Sequence, residues 1–96
     1  MIKHIVCWKL KEHEKNGNAQ RVKQLLEDLK DIGFIERIEV GINSEDTPQD
    51  NWDVVLIAEF NTLEDLNRYQ AHPRHKEAGA FIKSVVEQRV CVDYKC

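Results

Sequence analysis

The chain has no long apolar run and no basic stripe. No stretch of about 18 apolar residues occurs among its 96 residues, so the sequence predicts no membrane-spanning helix. The formal net charge is −3, and the lysines and arginines are interleaved with acids. Nucleic acids and anionic membrane surfaces are bound by clustered Lys and Arg side chains. We therefore expect neither a nucleic acid nor a membrane among the partners of this protein.

The chain also lacks the short motifs that mark common cofactor and metal sites. It contains no glycine-rich phosphate loop, no Cys-x-x-Cys pair and no Gly-x-Ser-x-Gly segment. The acids between residues 45 and 53 do not have the spacing of an EF-hand loop. His72 and His75 alone do not make a zinc site, because two ligands three residues apart need at least one more. The sequence therefore predicts no metal and no cofactor.

Cysteine is scarce and odd in number. Cys7 and Cys91 lie in apolar runs, and Cys96 is the last residue of the sequence. Three cysteines without a spaced framework favour reduced thiols over disulfides. The first residues enter a strand pattern directly and show no secretory signal. These features together lead us to expect a cytoplasmic protein.

The apolar residues that are present follow two periods in alternation. A period of two predicts strands, and spacings of three and four predict amphipathic helices. The order is strand, helix, strand, strand, helix pair, strand, which is the split βαβ or ferredoxin-like arrangement of the α+β class. We expect one domain over residues 1–96, with a four-stranded antiparallel sheet. The predicted strands are residues 2–10, 34–42, 52–60 and 88–94, and the predicted helices are residues 19–32, residues 63–70 and a segment after Pro73.

One layer of helices covers only one face of such a sheet. The other face would carry Val, Ile and Cys side chains into water, and an apolar patch of that size indicates a partner surface. The simplest partner is a second copy of the chain, packed sheet to sheet around a two-fold axis. The sequence thus predicts a homodimer through the sheet face, with the two sheets forming a barrel-like core.

The segment "RYQAHPRH" places a tyrosine and two histidines around one proline. Pro73 fixes its own φ and keeps His72 out of the helical region, so the chain makes a defined corner between Tyr69 and His75. His75 is a candidate general base, because neutral imidazole can take a proton from a carbon acid near pH 7. Tyr69 is a candidate hydrogen-bond donor to the enolate oxygen that would form. Alternatively, both side chains serve only to lock the corner through hydrogen bonds.

Further candidates lie outside the corner. His4 shares a strand face with Val6 and Trp8, and it is either a satisfied core residue or a group that reaches across to His75. Trp8 and Phe81 are predicted core residues that could also form the wall of a pocket. His72 either caps the next helix, faces solvent or contacts a ligand. The candidate catalytic residues are therefore His75, Tyr69 and His4, and the candidate ligand-binding residues are Trp8, Phe81 and His72.

The sequence resembles a known family over nearly its whole length. The resemblance lies in "MIKHIVCWKLK" at the start, in "VGIN" before the polar loop, and in the segment from "DVVLIAEF" to "VCVDY" that contains "LEDLNRYQAHPRH". These segments are similar to the stress-responsive dimeric α/β-barrel (Dabb) domain. The resemblance implies a ferredoxin-like fold, a homodimer and a pocket between sheet and helices. Most members of that family have no established biochemical function.

One branch of the family, which includes olivetolic acid cyclase, closes polyketides by aldol condensation. By resemblance, its catalytic histidine corresponds to His75, its assisting tyrosine to Tyr69 and its pocket histidine to His4. Four functions remain open: a dimer that binds a small apolar or aromatic molecule, a cyclase-like enzyme, a cofactor-free monooxygenase, and a purely structural dimer. A cavity that touches His75 favours the first two of these, and a filled core favours the last.

Overall fold

The computed structural model describes all residues of the chain, 1–96, and has the element order expected from the sequence. It confirms the predicted succession of strand, helix, strand, strand, helix pair and strand. The strands are β1 (Ile2–Leu10), β2 (Arg37–Ile42), β3 (Val54–Phe60) and β4 (Val86–Lys95), and the helices are α1 (Lys15–Glu27), α2 (Leu63–Ala71) and α3 (Pro73–Val85).

The four strands form one antiparallel sheet in the order β2-β3-β1-β4. β1 lies inside the sheet, between β3 and β4, and Val6 is paired with Leu56 on one side and with Cys91 on the other. Because side chains directly opposite each other in a sheet point to the same face, this register decides which residues meet. The ferredoxin-like α+β fold predicted from the order of elements is confirmed.

α1 begins earlier and ends earlier than the sequence predicted. The predicted helix covered residues 19–32, whereas the observed helix covers Lys15–Glu27 and continues as a 3₁₀ turn over Asp28–Asp31. The apolar stripe was correctly located, since Ala19, Val22 and Leu26 are buried. The first turn has no apolar residue facing the core, so hydrophobic periodicity could not reveal it. No helix of the structure has the length and apolar character needed to cross a membrane.

The corner between α2 and α3 follows the local sequence closely. The Thr62 hydroxyl accepts a hydrogen bond from the backbone N–H of Asp65 at 3.1 Å, which caps α2 and agrees with the predicted helix start at residue 63. His72 has an extended conformation with φ −65° and ψ 135°, as a residue before proline should. Its Nδ1 accepts a hydrogen bond from the backbone N–H of Arg74 at 3.1 Å. His72 is therefore the N-cap of α3, one of the roles considered for it from the sequence.

The hydrophobic core lies between the helices and the inner face of the sheet. The alternation of β1 buries Ile2, His4, Val6, Trp8 and Leu10 on that face. The outer face of the sheet has no helix over it, as expected. Three large apolar side chains of β4 are about half exposed there: Val90 at 49%, Val92 at 55% and Tyr94 at 42%.

Candidate functional site

A cavity of about 300 Å³ lies between the inner face of the sheet and the helices. Twelve residues line it, and seven of them are hydrophobic. Its volume is at the lower end of the range of about 300 to 1,000 Å³ that is usual for small-molecule pockets. The mixture of an apolar wall and a few polar groups is also typical of such pockets.

The cavity brings together four of the six residues selected from the sequence. His4 and Trp8 reach it from β1, Tyr69 from α2, and His75 from α3. β1 contributes alternate side chains because its inner face forms the floor, whereas Tyr69 and His75 arrive from opposite sides of the proline corner. The corner and the strand alternation together thus determine the composition of the cavity wall.

The other two selected residues do not line the cavity. The imidazole of His72 caps α3 through its Nδ1 atom. Phe81 is partly buried and packs against the hydrophobic core. Neither side chain is among the residues around the cavity, so a ligand held there would not be expected to touch them.

Tyr69 occupies the centre of an aromatic cluster. It has no solvent-exposed surface, and its ring centroid lies 5.1 Å from that of Phe60, 4.5 Å from that of His75 and 6.1 Å from that of His4. Such spacings are favourable for aromatic contacts. The hydroxyl group at the end of this packed ring is buried and has no hydrogen-bond partner.

His75 has a second buried polar atom without a partner, its Nδ1. Burial lowers the pKa of His75 below its ordinary value of 6.5, and the charge of nearby His4 lowers it further. Burial also raises the pKa of the Tyr69 hydroxyl well above its ordinary value of 10.0. Near neutral pH the cavity therefore presents an uncharged imidazole beside a protonated phenol, which is a proton acceptor beside a hydrogen-bond donor.

His4 is held by a carboxylate that the sequence analysis did not select. Asp93 lies directly opposite His4 in the β1–β4 pairing, and its Oδ1 is hydrogen-bonded to Nδ1 of His4. His4 is almost fully buried, whereas the side chain of Asp93 is 41% exposed. A carboxylate in this position orients the ring and leaves Nε2 as the nitrogen that can act elsewhere.

Two cations of the cavity wall were also missed. Lys83 of α3 and Arg89 of β4 line the cavity although both residues are exposed. Arg89, like Asp93, sits on an edge strand whose polar residues look in sequence like an ordinary solvated face. Only the strand register, which pairs Arg89 with Trp8, shows that this face adjoins the cavity.

Comparisons with known proteins agree on one family and one fold. The model of the family described as "Stress responsive A/B Barrel Domain" matches residues 2–96. A dimeric protein of unknown function and ferredoxin-like fold from Bacteroides fragilis is 37% identical, with a TM-score of 0.89, over 99% of this chain and 95% of its own. A search among curated proteins found no match.

Two more distant structures have the same fold. A dimeric ferredoxin-like protein of unknown function from Thermobifida fusca is 23% identical, with a TM-score of 0.88, over 99% of this chain and 90% of its own. A hydroxynitrile lyase from Passiflora edulis is 15% identical, with a TM-score of 0.81, over 97% of this chain and 90% of its own. At these identities the likeness shows the fold alone.

The lowered pKa of His75 predicts a pH-dependent stability. Because the pKa of His75 is lower in the folded chain than the ordinary 6.5, the unfolded chain binds more protons between those two pKa values. His75 should therefore have no electrostatic effect on stability well above pH 6.5 and should destabilise the fold increasingly as the pH falls through the folded pKa. Urea unfolding at a series of pH values should show wild type losing free energy of unfolding relative to His75→Gln.

The matched control for this experiment is His13→Gln, which removes an exposed imidazole. The difference between wild type and His13→Gln should stay constant over the same pH series. A difference between wild type and His75→Gln that is equally constant would contradict the lowered pKa.

Proposed function

The chain belongs to the stress responsive A/B barrel domain family, and we propose that it is a homodimer in which each subunit binds a small apolar or aromatic molecule in the cavity between sheet and helices. The similar proteins from B. fragilis and T. fusca are described as proteins of unknown function, so they do not indicate a biochemical role. The cavity itself is what indicates a ligand.

The observation that carries the proposal is a pair of unpartnered polar atoms on two residues that line one cavity. The Tyr69 hydroxyl and His75 Nδ1 are both buried without a hydrogen bond, and both residues line the same space. Each buried polar group left without a partner costs about 1 to 3 kcal/mol. Such groups are rare in proteins and need an explanation. A carbonyl oxygen of a bound molecule would accept a hydrogen bond from the Tyr69 hydroxyl, and a hydroxyl group of that molecule could donate one to an unprotonated His75 Nδ1.

The rest of the wall indicates what kind of molecule would fit. Val6, Trp8, Leu56 and Ile82 present hydrocarbon surface that favours an apolar or aromatic body. The small volume limits that body to about the size of a substituted ring. Exposed Lys83 and Arg89 at the wall would favour a ligand whose outer end is polar or negatively charged.

A second candidate function is carbon-acid chemistry on such a ligand. Neutral His75 would take a proton from a carbon next to a carbonyl group, and the carbonyl oxygen would gain the negative charge of the enolate. Protonated Tyr69 would donate a hydrogen bond to that oxygen. The observation that favours this function is the pairing of a lowered histidine pKa with a raised tyrosine pKa at a centroid distance of 4.5 Å.

His4 would have a positioning role in this chemistry. Its ring is fixed by the hydrogen bond to Asp93, and its centroid lies 6.1 Å from that of Tyr69. A histidine held in this way keeps one tautomer and one orientation, which is the function of the carboxylate in many histidine–carboxylate pairs. The Passiflora enzyme supports this candidate only in so far as the same fold accommodates an enzyme there.

The homodimer is proposed through the uncovered face of the sheet. Val90, Val92 and Tyr94 are exposed on that face, and Ile5 and Cys7 line a shallow cleft beside them. The proteins from B. fragilis and T. fusca are described as dimeric, which supports self-association of this chain. The expected cytoplasmic location belongs to the same proposal, and the three free cysteines are compatible with it.

Ligand binding can be tested with acetophenone, a small aromatic ketone, on a Trp52→Phe background. In that background Trp8 is the remaining tryptophan and lines the cavity, so binding should quench its fluorescence. Tyr69→Phe should weaken binding about 2-fold to 10-fold, the effect of losing one hydrogen bond of 0.5 to 1.5 kcal/mol. Tyr94→Phe changes an exposed tyrosine on the other face and should leave the affinity unchanged. Equal affinity in the wild type and Tyr69→Phe proteins would rule out the proposed hydrogen bond.

The second candidate function predicts that the protein accelerates exchange of the acetophenone methyl protons for deuterium. NMR should show exchange faster than in buffer, and His75→Ala should lower the protein-dependent rate about 10²-fold to 10⁴-fold, as expected for loss of a general base. His13→Ala is the control, because His13 is exposed and is not part of the cavity wall. A His75→Ala protein that remains folded by circular dichroism and exchanges at the wild-type rate would eliminate His75 as the base.

The dimer predicts a contrast between two exposed apolar residues. Val92→Glu places a charge on the uncovered sheet face and should give a monomer in sedimentation-velocity experiments, because an unpaired charge would be buried between the two sheets. Leu63→Glu changes a side chain that is 58% exposed, close to the 55% of Val92, but lies on α2 away from that face. Leu63→Glu should sediment as a dimer. If both variants sediment like wild type, the interface lies elsewhere.

A further inference from the structure

Three side chains with metal-binding atoms meet on the inner face of the sheet. They are His4, Cys91 and Asp93, and their ligand atoms all lie within 4.8 Å of one another. The proposed ligand and carbon-acid functions make no use of Cys91. The cluster is also distinct from the pair of histidines at the proline corner, neither of which belongs to it.

The strand backbone fixes this arrangement. Cys91 and Asp93 are two residues apart on β4, so their side chains lie on the same face of the sheet. β1 pairs with β4 so that Val6 is opposite Cys91 and His4 is opposite Asp93. His4 is therefore the direct neighbour of Asp93 and the diagonal neighbour of Cys91. Sites built on strands in this way hold their ligands more rigidly than sites on loops.

Two of the three distances between the ligand atoms match those around a tetrahedrally coordinated ion. The Sγ atom of Cys91 lies 3.6 Å from His4 Nδ1 and 3.6 Å from Asp93 Oδ1. A tetrahedral zinc ion has a Zn–S bond of about 2.3 Å and Zn–N or Zn–O bonds of about 2.0 to 2.2 Å, which separate the sulfur atom from the nitrogen or oxygen ligand by about 3.5 Å. The two distances from Sγ are therefore already those that zinc requires.

The distance between His4 Nδ1 and Asp93 Oδ1 must increase for an ion to bind. Nδ1 of His4 and Oδ1 of Asp93 are hydrogen-bonded to each other, whereas tetrahedral coordination requires a separation of about 3.3 Å. Asp93 can provide this change, because its side chain is 41% exposed and can rotate toward solvent. His4 is buried and would stay in place as the fixed ligand.

The chemistry of the ligands selects the ion. A thiolate and an imidazole favour zinc over magnesium and calcium, which prefer oxygen ligands. The negative charges of a thiolate and a carboxylate balance the two positive charges of the ion. Three protein ligands leave one coordination position open, as in catalytic zinc sites. We propose that His4, Cys91 and Asp93 bind one Zn²⁺ per chain through Nδ1, Sγ and a carboxylate oxygen, at the edge of the cavity.

This proposal does not depend on the proposed ligand or on catalysis, and its test needs neither. The probe is Co²⁺ added to the full chain carrying Cys7→Ser and Cys96→Ser, so that Cys91 is the only thiol. We expect a thiolate-to-cobalt absorption band that saturates at one ion per chain and disappears when Zn²⁺ is added. Adding Cys91→Ser should abolish the band. Adding Asp93→Asn should lower the Co²⁺ affinity more than about 10-fold, because even substitutions of residues that only hydrogen-bond to metal ligands lower metal affinity by that much.

Folding of the variants can be checked by circular dichroism, and the serine substitution should be tolerated because Cys91 is exposed on an edge strand. Competition of Zn²⁺ with a chromophoric chelator gives the second measurement. Its result should be a loss of zinc affinity in Cys91→Ser compared with the Cys7→Ser, Cys96→Ser parent. No band in the parent, a band that persists in Cys91→Ser, or equal zinc affinity in both proteins would each overturn the proposal.

Discussion

The pairing of β1 with β4 is the constraint on which the site depends. β1 lies between β3 and β4, and its alternation directs His4 and Trp8 toward the helices. The register with β4 then brings Asp93 to His4 across the sheet. A slip of β1 by one residue would send His4 and Trp8 to the opposite face, away from Asp93 and the helices. The apolar residues of β1, buried at every second position, make that slip unfavourable and so hold the polar residues in place.

The proline corner supplies the second half of the site. It separates Tyr69 at the end of α2 from His75 in the first turn of α3, and each residue carries a buried polar atom that has no hydrogen-bond partner within the chain. A fold selected only for stability would pair such atoms or replace them by apolar groups. The unpaired atoms are the strongest indication that the cavity receives a molecule, because nothing in the packing of the core requires them.

The sequence predicted the fold well and the site in part. Strand alternation in β1, the start of α2 at residue 63 and the extended His72 before proline are local patterns, and each was found where expected. The strand predicted over residues 34–42 begins only at Arg37. The first turn of α1 was missed because it contains no apolar residue that would extend the hydrophobic periodicity. Asp93 and Cys91 were not selected as site residues because their position beside His4 follows from the β1–β4 register, which no local pattern reveals. His75 and Tyr69 were selected from the corner, but their lack of hydrogen-bond partners is a property of the packing.

The central claim is that the Tyr69 hydroxyl is kept for a partner outside the chain. The most direct measurement is the free energy of unfolding of ligand-free Tyr69→Phe compared with wild type, by urea denaturation. Because the hydroxyl is buried and unpaired, its removal should leave stability unchanged or raise it by up to about 3 kcal/mol. A loss of about 1 kcal/mol or more would mean that the hydroxyl makes a stabilising hydrogen bond within the protein. That result would contradict the account and leave Tyr69 as a structural residue.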